Sequence, residues 1–181
     1  MDTAVAPEAT KTPIRTTDVT VWRSIELGVG PKTGLGFERV MKRRKIKIGW
    51  AENLLGNRRA FKTCKRRKKV WLIKISVGDL GFKDGGYRSE VYKRATQEFK
   101  FDLCQAEVGP QLRLQYFDQP NGEVLHVAMK PIKDCLDCPC SFWVGNEKGE
   151  LQFCAHDGQP EYFLQPNDTL IFVRHRRPNY P

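Results

Sequence analysis

Val70-Trp71-Leu72-Ile73-Lys74-Ile75-Ser76-Val77 is the longest apolar run in the chain, broken only by Lys74 and Ser76. Its β-branched and aromatic content predicts a buried strand. A turn-rich gap, Gly78 to Gly86, follows it. Tyr87, Val91, Ala95 and Phe99 then recur every fourth residue with Tyr92 beside them, while Arg88, Glu90, Lys93, Arg94, Gln97 and Glu98 fall opposite. That pattern predicts an amphipathic helix over 87–99, with Asp84 as a candidate cap. Leu103, Val108, Leu112, Leu114 and Tyr116 read as a second apolar segment that returns to the sheet. The order strand, helix, strand organises the rest of the chain.

Upstream, Asp18 to Gly30 is close to period two and predicts a strand. The glycine-rich Gly28 to Gly34 contains Lys32, but its last glycine precedes Leu35. The phosphate-loop spacing therefore fails, and the dinucleotide-binding spacing fails by one position. Leu35, Phe37, Val40 and Met41 predict a short helix over 36–45. Ile46 to Gly49 reads as a break, and Trp50, Leu54 and Leu55 form a second amphipathic turn ending at Gly56-Asn57. Two helices separated by a break resemble a helix-turn-helix in outline. The second carries Glu52 and no Arg or Lys, which argues against base readout from it.

Downstream, short apolar segments alternate with turn signals. Gln111 to Phe117 and Val124 to Met129 flank Asn121-Gly122, and Ser141 to Val144 and Glu150 to Cys154 flank Asn146 to Gly149. Thr169 to Val173 reads as a last strand. The spacing predicts an antiparallel meander. The expected fold is α+β: short N-terminal helices, one long amphipathic helix and a mostly antiparallel sheet. It forms a single domain over 18–175, with a basic insertion near 58–69, a disordered tail over 1–17 and a frayed tail over 176–181.

Charge is unevenly spread. The formal net charge is +10, and residues 1–100 hold 24 Lys+Arg against 10 Asp+Glu. Arg39 to Lys69 alone contains 14 basic residues and one acid, Glu52. Five consecutive cations, Lys65 to Lys69, must lie at the surface, and they read as the turn of a hairpin joining Phe61 and Cys64 to the Val70 strand. Such density attracts polyanions. The expected function is non-sequence-specific nucleic-acid binding, to RNA or DNA. Lys42, Arg43, Arg44, Lys45, Lys47, Arg58, Arg59, Lys65, Arg66, Arg67, Lys68 and Lys69 would sit on phosphates, and Trp50 or Phe61 would stack on a base if exposed. The alternatives are a protein-interaction module whose partner is unknown, an acidic protein being one candidate, and a small zinc-stabilised module.

Met1 to Thr17 has no continuous apolar core and no basic leader, and no run is long enough to span a bilayer. A cytoplasmic protein without membrane contact is expected. Six Cys then point to reduced thiols or a metal site rather than to disulfides. Cys135, Cys138, Cys154 and His156 are candidate zinc ligands, although C-x-H is tighter than usual spacing and Cys140 competes for a place. Unligated thiols are the favoured reading, so no cofactor is expected. An enzyme would need a nucleophile and base, for which Cys104 with Glu107 or His126 is the only arrangement in view. A binding protein is the better expectation.

Two stretches, Val77 to Gly85 and Leu103 to Tyr116 with Gln119 to Glu123, resemble segments of small uncharacterised proteins encoded in genomes of uncultivated bacteria. The resemblance covers roughly 18–57 and 71–132 and implies a bacterial cytoplasmic protein. No activity or site residue comes with it. The basic run around Lys65 and the cysteines around Cys135 depart from the pattern.

Overall fold

The computed structural model describes residues 19–134 and 136–174. The expected N-terminal and C-terminal tails lie outside them. Strand β1 (Arg23–Leu27) leads through the 28–33 loop into α1 (Gly34–Arg43), then β2 (Lys47–Ile48), α2 (Ala51–Gly56) and the long β3 (Lys68–Ser76). β4 (Gly86–Tyr87), α3 (Arg88–Gln97), β5 (Phe101–Asp102) and α4 (Val108–Gln115) follow. The C-terminal half supplies β6 (Val124–Val127), β7 (Ile132–Lys133), β8 (Pro139–Glu147), β9 (Glu150–Asp157), β10 (Phe163–Leu164) and β11 (Thr169–Arg174).

The fold is mostly β, which corrects the expected α+β class with its long helix. A mixed nine-stranded sheet runs β1-β3-β11-β6-β8-β9-β2, with β5 paired to β11 and β7 to β8. It curves into a half-barrel. The last strand enters its middle, antiparallel to β3 and parallel to β6. β2 pairs in parallel with β9. The sheet is therefore neither a meander nor mostly a chain of hairpins. One predicted hairpin is present: β8 and β9 pair from Cys140↔Asp157 to Glu147↔Glu150, closing through Lys148 and Gly149, both at positive φ.

β11 shows why the sheet has two covered faces. Leu170 and Phe172 point into one core with Ile73, Ile75, Val91, Ala95 and Phe101, while Ile171 points into the other with Leu27, Phe37, Met41, Leu112, Phe142 and Phe153. A central strand buried on both faces carries no polar alternation. The predicted long helix, α3, covers the first face and is ten residues, no longer than α1. Tyr87 belongs to β4 and is exposed, and Lys100 at φ 58° turns the chain before β5.

The other face wraps α4, which touches β1, β8 and β9. The sequence pattern predicts sheet here, and the chain is helical instead. Every residue from Val108 to Leu114 is buried, so no polar stripe marks a helix. Pro110 is tolerated because it stands in the first turn, where no intrahelical N–H donor is needed. Three of its polar side chains reach other elements. Gln115 accepts from Glu26 N at 3.0 Å and donates to Glu26 O at 2.9 Å, occupying the free edge of β1. Gln111 donates to Val29 O at 2.7 Å. The buried Arg113 donates to Gly145 O at 3.0 Å, to Gln119 Oε1 at 2.5 Å and to Tyr116 O. Burial lowers the Arg113 pKa to about 10.

Just ahead of the helix, Glu107 is fully buried. Its carboxylate accepts from Gly28 N at 2.8 Å, Cys64 N at 2.5 Å and Gln111 Nε2 at 3.0 Å. It thus ties the loop after β1 to the segment before β3. Replacing Glu107 with Ala orphans all three donors, at about 1–3 kcal/mol for each that water cannot reach. Urea unfolding is expected to show a loss of about 3 kcal/mol or more, and a loss below about 1 kcal/mol would show that the carboxylate is dispensable.

Candidate nucleic-acid interface

The predicted cations fall into two groups at opposite ends of one helix. α1 begins with Thr33, whose hydroxyl accepts from Gly36 N at 3.1 Å. Gly34 packs so closely on the Leu55 carbonyl that a Cβ would collide with it. At the other end, Lys42 pairs with Glu52 at 3.1 Å and with Glu38 at 2.7 Å. α1 and α2 therefore lie antiparallel. Lys42, Arg43, Arg44, Lys45 and Lys47 cluster at the C-terminal end of α1.

That end is a Schellman motif: Lys45 N donates to Lys42 O at 3.1 Å and Ile46 N to Met41 O at 3.0 Å. The residue after the C-cap, normally Gly, is Lys45 at φ 56°. A side chain there carries a conformational cost.

The second group sits by the N-terminal end of α1. Thr63 Oγ1 donates to Lys32 O at 2.9 Å, and Gly28, at φ 71°, lies against the Arg66 carbonyl. Arg58, Arg59, Lys65 and Arg66 thus gather around the 28–33 loop. The expected basic hairpin is absent. Phe61 to Cys64 is not a strand, and Lys68 and Lys69 already belong to β3, opposite Leu27 and Glu26 of β1. Ten residues of helix, about 15 Å, separate the groups.

A cleft of about 660 Å³ runs along α1 between them. Val40, Arg43 and Arg44 of α1 form one wall, Val29, Gly30 and Pro31 one end, and Gln111, Leu114 and Gln115 the floor. Glu26 also lines it and pairs with Arg67 at 2.7 Å. Gln115 Nε2 donates to Gln111 Oε1 at 3.0 Å as well as to Glu26 O, so the floor amides are committed within the protein.

All twelve predicted cations are exposed. Trp50 is 75% exposed at the start of α2, but Phe61 is buried, edge-on to Phe37 and Phe142, and cannot meet a base. Sequence reasoning missed Phe117, which is 50% exposed and lies 5.2 Å under the Arg44 guanidinium. Reading Gln111 to Phe117 as a strand hid it. It also hid Gln111 and Gln115, whose four-residue spacing places them on one face of a helix.

Of the candidate zinc ligands, Cys138, Cys154 and His156 form no metal-holding group among the described residues. Cys135 lies outside the described residues. Cys138 is exposed on a turn, and the Cys154 thiol packs on Gly49. His156 is used otherwise. Arg88, 3% exposed, donates to His156 Nδ1 at 3.4 Å and to Ser141 Oγ at 3.3 Å, and lies 4.8 Å from the Tyr162 ring. Since Arg88 only donates, the His156 proton sits on Nε2, which meets His126 Nδ1 at 3.4 Å. His126 Nε2 then faces Asp168 at 3.9 Å. Among the described residues no group of three or more His, Cys, Asp or Glu is placed to hold a metal ion. Of the residues considered for an enzyme, Glu107 accepts from Gly28, Cys64 and Gln111, and His126 meets His156. The buried Cys104 thiol donates to Ile171 O at 3.2 Å, and burial pushes its pKa up.

No family model, no curated protein and no solved structure matches the chain. No helix among the described residues is long and apolar enough to cross a membrane.

Two predictions follow from this geometry. Lys45→Gly relieves the left-handed backbone and is expected to raise unfolding free energy by about 0.5–1 kcal/mol in urea titrations; a loss instead would show that the Lys45 side chain stabilises the turn. Burial lowers both histidine pKa values: at His126 the Asp168 charge opposes it and the Arg88 charge adds to it, and at His156 the charges of His126 and Arg88 add to it and bring the value to about 3. The unfolded chain therefore binds more protons than the folded one from about pH 6.5 down to about 3. Stability from this pair is full above that window and falls as pH drops through it. Imidazole NMR signals assigned to His126 or His156, by comparison with His126→Asn and His156→Asn variants, that titrate near 6.5 in the folded protein would contradict this.

Proposed function

We propose that the protein binds nucleic acid without sequence specificity, across the basic surface at the two ends of α1. The observation that carries this reading is the unpaired charge. Of the twelve exposed cations, only Lys42 and Arg67 form ion pairs with carboxylates among the described residues. A chain with 21 Asp+Glu has acids enough to neutralise more of them. Like charges held together repel one another, and an external polyanion relieves that repulsion while releasing its own counterions.

Lack of sequence preference follows from the cleft. Its amides are spent on Glu26, Val29 and Glu107, so they have few hydrogen bonds left for base edges. The cations contact phosphates, which every sequence presents.

The test is binding to mixed-sequence oligonucleotides across a salt titration, wild type beside a variant with Lys65 to Lys69 all changed to Ser. Each lost phosphate contact is expected to reduce the slope of log K against log salt by roughly 0.7–0.9. Absence of binding at low salt would end the proposal. Binding to acidic proteins alone, with oligonucleotides ignored, would replace it with an acidic-partner module.

A further inference from the structure

We infer that the natural ligand class is single-stranded polynucleotide, with unpaired bases stacking on Trp50 and Phe117 to either side of the basic turn that ends α1. This rests on the nucleic-acid reading above and narrows it.

Both aromatics are tied to that turn by its own side chains. Lys42 reaches Glu52 in the first turn of α2, which Trp50 opens. Arg44 donates to Leu114 O at 3.4 Å and lies over the Phe117 ring just past α4. Residues two apart on a helix point about 200° apart, so these two tethers leave the turn on opposite sides. Arg43 and Lys45 stand exposed between them. A cation cluster flanked by two exposed aromatic faces is the arrangement that holds a sugar-phosphate backbone while its bases stack on either side.

The exposed Trp50 ring has no ring contact or side-chain hydrogen bond among the described residues to set against its exposure, and Phe117 has only the Arg44 guanidinium. Trp50 is the most exposed tryptophan side chain among the described residues, whereas Phe37, Phe61, Tyr116, Phe142 and Phe153 of the α1–α4 face are buried. In a duplex the base faces are already stacked and out of reach of a surface ring. A single strand offers them freely.

Duplex readout also lacks a presenting element. α1 is packed through Phe37 and Met41, with α2 on one side and the cleft on the other, and α2 has only six residues. α2 carries no Arg or Lys, and the exposed cations of α1, Arg39, Lys42 and Arg43, are confined to its last two turns with Lys42 paired to Glu38 and Glu52, so neither helix lays a basic face along its length for a major groove.

The experiment measures fluorescence anisotropy of short mixed-sequence oligonucleotides as single-stranded DNA, single-stranded RNA and the matching duplexes. Wild type is compared with Trp50→Ala, Trp50→Phe and Phe117→Ala, each checked for folding by circular dichroism. Single strands are expected to bind about tenfold or more tightly than duplexes, each Ala variant to lose about tenfold toward single strands, and Trp50→Phe to keep most of the affinity. The two single-stranded arms show whether the 2′-hydroxyl is read. Equal affinity for duplex and single strand, or Ala variants that bind like wild type, would overturn this inference and leave the broader nucleic-acid reading intact. No binding to any polynucleotide would overturn both.

Discussion

The half-barrel depends on a helix that behaves, at one edge, like a strand. Gln115 offers a carbonyl and an amide N–H to the two backbone groups of Glu26, as a neighbouring strand would. Glu107 adds a carboxylate for Gly28 N one step further along. β1 is therefore an edge strand whose outer edge is closed at Glu26 and, just beyond it, at Gly28, which narrows the site for unwanted pairing. The same bonds fix the distance between β1 and α4 and so hold open the cleft beside α1. Remove them and both the sheet edge and the cleft wall lose their reference point.

α4 supports these polar contacts without a contact ion pair among the described residues, the Glu123 charge acting on Arg113 only from a distance. Glu107 is met by N–H dipoles, and Arg113 by carbonyl and amide oxygens. Arg88 on the other face of the sheet is met by a neutral imidazole, a hydroxyl and two tyrosine rings, Tyr92 and Tyr162. Each of these buried charges is thus held by fixed dipoles, which cost little to reorganise once the fold is formed and much to lose.

The sequence carried some of this plainly. Val70 to Val77 signalled a strand because its apolar run is bounded by charge and turn. The β8–β9 hairpin signalled itself by two apolar segments around a glycine turn. α4 did not, because periodicity reports only the contrast between a wet and a dry face, and a helix buried all round has none. Leu112, Leu114 and Tyr116 imitate a strand for that reason. The middle position of β11 was invisible for a different one: its partners Ile75 and His126 are far away in sequence, and no local pattern specifies them. At the site, charge density placed the cations on the surface, but not which of them share an end of α1. Phe61 is buried and Phe117 exposed, the reverse of what their local sequence suggests, since exposure of an aromatic is a tertiary property.

The imbalance of the basic surface also has a tertiary origin. More than half the acids lie after residue 100, and several are committed elsewhere: Asp118 to Arg23, Glu123 to Lys74 and Tyr116, and Asp168 to the His126 side of the sheet. α1 and α2 bring only Glu38 and Glu52 to the cations around them, and Lys42 takes both. Arg43 and Arg44 are left lining the cleft, and Lys45 occupies a backbone conformation that glycine would adopt more cheaply. Arg43, Arg44 and Lys45 are therefore cations that the acids of α1 and α2 leave without an ion pair, and it is on this imbalance that the proposed polyanion binding rests.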